Sequence, residues 1–120
     1  VEPAALRWMA DTYAAGIGPW KVNLLPRKPL DPPRVVGAGK INAQLLGTTA
    51  PMLAAARALG LQVHPYTVRA EHAYLALDAR GALIEAEAEV RMLIAAGASG
   101  VFIDQPDVGV RARDGVARAP

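Results

Sequence analysis

The sequence predicts an α/β protein, and three observations support this class. A helical pattern, a glycine and a short apolar strand follow one another three times along the 120 residues, which is the alternation typical of α/β domains. Apolar residues make up 52% of the chain and charged residues 20%, as expected for a protein with a packed core. The strand-to-helix connections are longer than the helix-to-strand connections, so loops gather on one side of the predicted sheet.

The first helix–strand unit begins with Pro3, which suits the first position of a helix, and Gly16 ends that helix. The residues predicted to share its inward face are Leu6, Met9 and Tyr13. A strand is predicted over residues 22–25. Residues 26–48 are predicted to be a long irregular loop, because prolines and glycines recur along them.

In the second unit Thr49 is predicted to cap a helix that Pro51 opens and Gly60 ends. The predicted inward face consists of Leu53, Ala56 and Leu59. Residues 61–68 then form a strand. Two sets of side chains point to opposite sides of this strand, and one set must face the interior: Gln62, His64 and Tyr66, or Val63, Pro65 and Thr67.

The third unit repeats the pattern, with a helix over residues 82–96, glycines at 97 and 100, and a strand over 101–103. The predicted inward face consists of Leu83, Ala86, Val90, Leu93 and Ile94. Three such units belong to an open sheet or to a barrel, and a closed eight-stranded barrel takes about 250 residues. Because three parallel strands alone leave two unpaired edges, we expect an incomplete domain or one completed by partner strands. The start at Val1 without a methionine suggests an excised or processed chain.

Charge and composition exclude several classes of function. The formal charge is only +2, from 13 basic and 11 acidic residues, so the basic stripe of a nucleic-acid-binding protein is not expected. With no cysteine, disulfides and thiolate chemistry are excluded. No stretch reaches the roughly 18 consecutive apolar residues of a transmembrane helix.

The carboxyl end of the second strand carries the first candidate site residues. His64, Tyr66, Thr67 and Arg69 lie there, on the side of a parallel sheet where ligands bind. An aromatic side chain at a strand end is a ready wall for a pocket. The alternative is that His64 and Tyr66 pack between strand and helix with their hydrogen bonds satisfied.

Acidic residues follow the third strand. Asp104 directly follows the apolar run and Asp107 comes three residues later, so each either faces the pocket or accepts backbone N–H groups at the start of a helix near Val108. Three glutamates alternate at 85, 87 and 89 and are predicted to be solvated. No three converging ligands for a metal ion are visible, and no catalytic set is predicted within the chain.

Basic side chains surround the first strand. Trp20 and Lys21 open it, and Arg27 and Lys28 follow it, so charge-assisted hydrogen bonds from this group are one way to hold a phosphate. The alternative is that these side chains are solvated. Lys21 joins the candidate substrate-binding residues, which are His64, Tyr66, Thr67, Asp104 and Lys21.

Three motifs resemble the carboxyl-terminal part of glycerophosphodiester phosphodiesterases. They are YAAGIGP at residues 13–19, GLQVHPYTVR at 60–69 and GASGVFIDQPD at 97–107. They occur in the family's order, and the first is similar to the bacterial secreted branch, which favours a periplasmic or secreted protein. Two positions depart from the usual pattern of the family: Ile103 replaces Thr, and Gln105 replaces Phe.

The resemblance implies that residues 1–120 form the C-terminal portion of a (β/α)₈ TIM barrel, about three βα units. It implies a metal-dependent phosphoric diester hydrolase of lipid and glycerol metabolism, which releases glycerol 3-phosphate and an alcohol from glycerophosphodiesters. The family uses Ca²⁺ or Mg²⁺ and two histidines, and these and the metal-binding acids belong to the N-terminal half of the barrel. The 120-residue chain is therefore expected to be inactive alone. The alternative is a non-catalytic half-barrel that acts as a binding or assembly module.

Overall fold

The computed structural model describes residues 3–12 and 16–118, and it has the predicted α/β architecture. Its helices are α1 (Pro3–Thr12), α2 (Pro51–Ala58), α3 (Ala86–Ala96) and α4 (Pro106–Arg118). Its strands are β1 (Gly16–Ile17), β2 (Arg27–Val36), β3 (Gly39–Leu45), β4 (Gln62–Val63), β5 (Ala76–Leu77) and β6 (Leu83–Ile84). Short 3-10 turns lie at Lys21–Asn23 and His72–Tyr74.

Three stretches of chain run parallel and side by side. We call them the parallel segments: residues 16–20, 62–68 and 101–103. β1 pairs with β4, and the pairing extends to a parallel bridge between Trp20 and Tyr66. On the other side Val68 bridges Ile103 and donates its N–H to the Phe102 carbonyl at 3.0 Å. The middle parallel segment is therefore 62–68, and the carboxyl ends of all three meet at one edge.

The strand predicted over residues 22–25 is wrong. The pairing stretch lies just upstream, and the chain turns at Lys21–Asn23, where the N–H groups of Leu24 and Leu25 both donate to the Lys21 carbonyl at 3.0 Å. Leu24 and Leu25 are buried. The apolar run indicated a strand, but its side chains enter the core from a turn.

The irregular loop predicted over residues 26–48 is also wrong, because this stretch is the β2–β3 hairpin. It belongs to a second, four-stranded sheet in the order β2-β3-β5-β6, and it turns at Gly37, where φ is +58°. β2 is an edge strand, so its outward N–H groups need no partner, and prolines are tolerated there. The register of β2 on β3 shifts between Pro29 and Arg34. The base of the hairpin is closed by a hydrogen bond from the Leu46 N–H to the Pro26 carbonyl at 2.9 Å.

The first two helices begin at Pro3 and Pro51 as predicted, whereas α3 begins four residues later than predicted. Gly97 caps α3 with a left-handed φ of +118°, and Gly60 follows α2 with a φ of +76°, as their helix-ending roles require. The N-cap of α2 is Ala50, without a side-chain hydrogen bond, so Thr49 does not cap it. α3 begins at Ala86 because the four residues before it include β6.

One apolar core joins the helices to both sheets. Its most deeply buried large side chains include Leu6, Leu24, Ile41, Leu53, Leu77 and Leu93. Leu6, Leu53 and Leu93 are on the inward faces predicted for the three helices. Tyr13, predicted for the first of these faces, lies outside the described residues.

Candidate functional site

A cavity of about 600 Å³ opens where the parallel segments end. Trp20, Tyr66, Thr67 and Asp104 line it from those ends. The β2–β3 hairpin forms another wall, with Arg27, Lys28, Pro29, Asn42 and Ala43. The other lining residues are Lys21, Val22, Arg69, Tyr74 and Leu75. Four of the five predicted substrate-binding residues thus come together here: Lys21, Tyr66, Thr67 and Asp104.

Lys21 reaches the cavity wall from the turn that follows the first parallel segment, and it is only 4% exposed. Its Nζ lies 2.5 Å from Oε1 of Glu89 and donates to the Tyr74 carbonyl at 3.1 Å. Glu89, in the first turn of α3, is 0% exposed. Solvation was therefore the wrong prediction for Glu89. Sequence reasoning missed its role because the partner, Lys21, lies 68 positions away.

Arg27 approaches the same carboxylate from β2. Its Nη1 lies 3.7 Å from Oε2 of Glu89. Burial lowers the pKa of the Arg27 guanidinium, and the Glu89 carboxylate opposes that shift without cancelling it. Among the described residues, Arg27 Nη2 and Glu89 Oε2 are buried without a hydrogen-bond partner. Two cations therefore share one carboxylate in this wall.

Three aromatic residues line the cavity and are accessible to solvent. Trp20 is 51% exposed, and Tyr66 and Tyr74 are each 45% exposed. The backbones of Trp20 and Tyr66 pair directly, so these two side chains come from neighbouring segments. The guanidinium of Arg69 lies over the Tyr74 ring, 4.3 Å from its centroid. Such rings stack on apolar C–H surface or attract a cation.

Arg69 also links Asp104 to the carboxyl end of the middle segment. Its Nε lies 2.8 Å from Oδ2 of Asp104 in a close ion pair, although the N–H does not point at the oxygen. Its Nη2 lies 3.3 Å from Oε1 of Glu71. A hydrogen bond from its own backbone N–H lowers the pKa of Glu71, and Arg69 adds to this effect. Asp104 therefore faces the cavity with its charge paired.

The two remaining candidates lie elsewhere. His64 is half-buried, its Nε2 is 3.1 Å from Oε1 of Gln62, and its ring is 6.4 Å from that of Phe102. It is not among the described residues that line the cavity, so its part in substrate binding stays a prediction. Asp107 lies in the first turn of α4, which starts at Pro106. Its hydrogen bond with Arg111 lowers its pKa, and the Val108 N–H adds to the shift.

The described residues do not fit a metal ion on their own. Residues 3–12 and 16–118 contain no group of three or more His, Asp or Glu side chains placed to hold one. Asp104 is the carboxylate on the cavity wall, and Arg69 already pairs with it. In the same ranges, no helix has the length and apolar character needed to cross a membrane.

The fold and this cavity define an α/β protein with a basic, aromatic-lined site at the carboxyl ends of parallel strands. Residues 22–108 match the glycerophosphoryl diester phosphodiesterase family, and the chain belongs to that family, as the sequence motifs indicate. It is also 36% identical over 66 residues to the glycerophosphodiester phosphodiesterase GDPD6 of Arabidopsis thaliana. That match covers 55% of this chain and 14% of the plant protein. The chain thus spans a small part of that relative.

Proposed function

We propose that this chain is the C-terminal portion of a (β/α)₈ barrel of a glycerophosphodiester phosphodiesterase. The complete enzyme hydrolyses a glycerophosphodiester to glycerol 3-phosphate and an alcohol. The observation that carries the proposal is the cavity of about 600 Å³ at the carboxyl ends of the parallel segments. Most of its lining falls within the region that matches the family, and this end of the strands is where βα-barrel enzymes bind substrate.

The edges of the parallel segments support the barrel part of the proposal. Among the described residues, segments 16–20 and 101–103 each have a strand neighbour on one side only, which is the middle segment. Phe102 on the outer segment is 58% exposed. Because unpaired strand edges invite further pairing, we propose that upstream barrel strands cover both edges.

Within this proposal each candidate has a physical role. The Tyr66 ring forms a wall for the glycerol or alcohol moiety, and Thr67 lies beside it on the same wall. Lys21, held by Glu89, and Asp104, held by Arg69, keep charged groups at fixed positions around the substrate. His64 acts through the position of the middle parallel segment, since its ring is off the cavity wall.

Acid–base and metal chemistry belong, in this proposal, to the N-terminal half of the barrel. The described residues offer no set of ligands that fits Ca²⁺ or Mg²⁺. Assignment to the bacterial secreted branch, and with it a periplasmic or secreted location, rests on the motif at residues 13–19.

The test is release of glycerol 3-phosphate from glycerophosphoglycerol and glycerophosphocholine in the presence of Ca²⁺ or Mg²⁺. The product of the complete reading frame is compared with the 120-residue chain, and we expect activity only in the longer protein. Tyr66→Ala should raise KM by about tenfold, because it removes roughly one aromatic contact with the substrate. Tyr66→Phe keeps the ring and should retain most of the affinity.

Two outcomes would overturn this assignment. Absence of glycerol 3-phosphate with both esters would exclude the hydrolase and favour the non-catalytic binding or assembly module. Activity in the 120-residue chain would show that the catalytic groups lie within it.

A further inference from the structure

We infer that the cavity selects glycerophosphodiesters whose headgroup carries no positive charge, so that esters of net negative charge react in preference to zwitterionic ones. This inference rests on the proposed function and names the substrate class of the same site. It depends on the balance of charge around the cavity. It also depends on Arg27 and Lys28 of the hairpin, whose side chains retain donors without an acceptor.

Cations outnumber anions around the cavity. The cationic side chains that line it are Lys21, Arg27, Lys28 and Arg69. The carboxylates that face these cations are Asp104 on the wall, Glu89 beneath Lys21, and Glu71 beside Arg69. Among the residues that the structure describes, four positive and three negative charges leave an excess of one positive charge around the cavity.

The uncompensated charge lies on the hairpin wall. Lys28 is exposed, and its side chain forms no hydrogen bond or ion pair with any residue in the described ranges. Next to it in sequence, Arg27 keeps a buried Nη2 without an acceptor. A negatively charged or hydroxyl-rich group that enters the cavity provides acceptors for these donors, whereas an ammonium group does not.

The aromatic rings are the strongest argument for a cationic headgroup, but one cation–π contact adds no more to binding than one like charge removes. A cation–π contact at an exposed site improves binding by about two- to fivefold. A like charge about 4 Å away weakens binding by about fivefold even in bulk water, and by more near a protein surface. Arg69 already covers the Tyr74 ring. Trp20 and Tyr66 remain for stacking against the C–H groups of a polyol.

The experiment measures kcat/KM for glycerophosphoglycerol, which has a neutral headgroup and net charge −1, and for glycerophosphocholine, which is zwitterionic. The enzyme is the product of the complete reading frame. We expect a preference for glycerophosphoglycerol of about fivefold or more at low ionic strength, which shrinks at 0.5 M salt as the charges are screened. Lys28→Glu should shift the ratio toward glycerophosphocholine by at least fivefold.

Lys40→Glu is the matched control, because Lys40 is an exposed lysine of the same hairpin that does not line the cavity. It should leave the ratio unchanged. Equal turnover of the two esters, a preference for glycerophosphocholine, or equal shifts with both variants would overturn the inference while the proposed function stands. Failure to hydrolyse either ester would overturn the proposed function and the inference with it.

Discussion

Lys21 and Glu89 form a buried ion pair, with Nζ and Oε1 2.5 Å apart, that ties the end of the first parallel segment to the first turn of α3. Lys21 also donates to the Tyr74 carbonyl, so the pair reaches the 3-10 turn at His72–Tyr74 as well. Three separate parts of the chain therefore meet at one charged contact beside the cavity. This contact couples the stability of the protein to the shape of its candidate site.

Removal of the carboxylate should strongly destabilise the protein. Glu89→Gln leaves Lys21 and Arg27 buried without a counter-charge, and breaking a buried ion pair from one side costs about 3–5 kcal/mol. The free energy of unfolding, measured with urea, should fall by that amount. The triple variant Lys21→Met/Arg27→Met/Glu89→Leu should recover much of the loss, because apolar side chains replace all three charges.

Glu87→Gln is the control for this prediction. Glu87 lies two residues earlier on α3, is partly exposed and pairs with Arg91 and Arg111. Its loss should cost about 1 kcal/mol or less, as for other surface ion pairs. Equal losses of unfolding free energy for Glu87→Gln and Glu89→Gln would show that the buried Lys21–Glu89 pair stabilises the protein no more than a surface ion pair does.

Asp104→Asn should separate binding from stability. The Arg69–Asp104 pair is partly exposed, so its loss should lower the free energy of unfolding by no more than about 1 kcal/mol. Arg69 loses its anchor at the cavity, and KM for the glycerophosphodiester should therefore rise several-fold in steady-state assays. Asp107→Asn breaks a similar pair with Arg111 away from the cavity and should leave KM unchanged. A KM for Asp104→Asn equal to that of the unmodified protein would contradict this role.

The turn at Asp78 should contribute to acid sensitivity. Its Oδ1 accepts the N–H groups of Ala82 and Arg80 at 2.9 and 2.8 Å, and the bond from Ala82 is the largest cause of its lowered pKa. Because folding lowers this pKa, the stabilisation is complete above the unfolded-chain pKa of about 3.9. It is lost as pH falls through the lower folded-state pKa.

The measurement is Tm as a function of pH for the unmodified protein and Asp78→Asn. From pH 7 to pH 3, Tm of the unmodified protein should fall more steeply, because the amide has no charge to lose. Parallel curves below pH 4 would refute the assignment.

Gly97→Ala should destabilise the end of α3 for two reasons. The left-handed φ of +118° disfavours any side chain, and a Cβ at this position would lie 2.6 Å from Cδ of Arg57. Gly60→Ala has the first cost but not the second, since no atom lies within 4 Å of its Cβ position. We expect about 1–2 kcal/mol for Gly60→Ala and more for Gly97→Ala in urea unfolding. In the Arg57→Ala background the two glycine variants should differ little in unfolding free energy, because the side chain that the new Cβ would meet is gone.

Local signals in the sequence were sufficient to predict where the helices end and that the segments between them run parallel. Gly60 and Gly97 occupy left-handed positions that few other residues adopt, and the strand ends they precede carry Tyr66, Thr67 and Asp104 to one cavity. The α/β class and the family followed from the same stretches. These features depend on residues that are close together in sequence.

Non-local partners explain what the sequence could not reveal. The prolines of β2 indicate a loop unless the strand is known to lie at an edge of its sheet. The charge of Glu89 predicts a side chain exposed to solvent unless Lys21 is known to lie against it. The sequence indicated a basic group at Lys21, Arg27 and Lys28, but it did not predict that Arg27 and Lys28 lie on a hairpin that folds back to the parallel segments.

The closed base of the β2–β3 hairpin leaves its tip as the part that tolerates changes in length. The Leu46 N–H donates to the Pro26 carbonyl and joins the two strands at this base. The residues that flank the hairpin are joined as well, because the Ala50 N–H donates to the Leu24 carbonyl at 2.9 Å. Residues near the exposed turn at Gly37 can be inserted or removed with little effect on the layers below, whereas Ile41 and Leu45 hold β3 in the core. Because the base of the hairpin carries Arg27 and Lys28 at the cavity, changes in the length of the tip should leave this wall of the cavity in place.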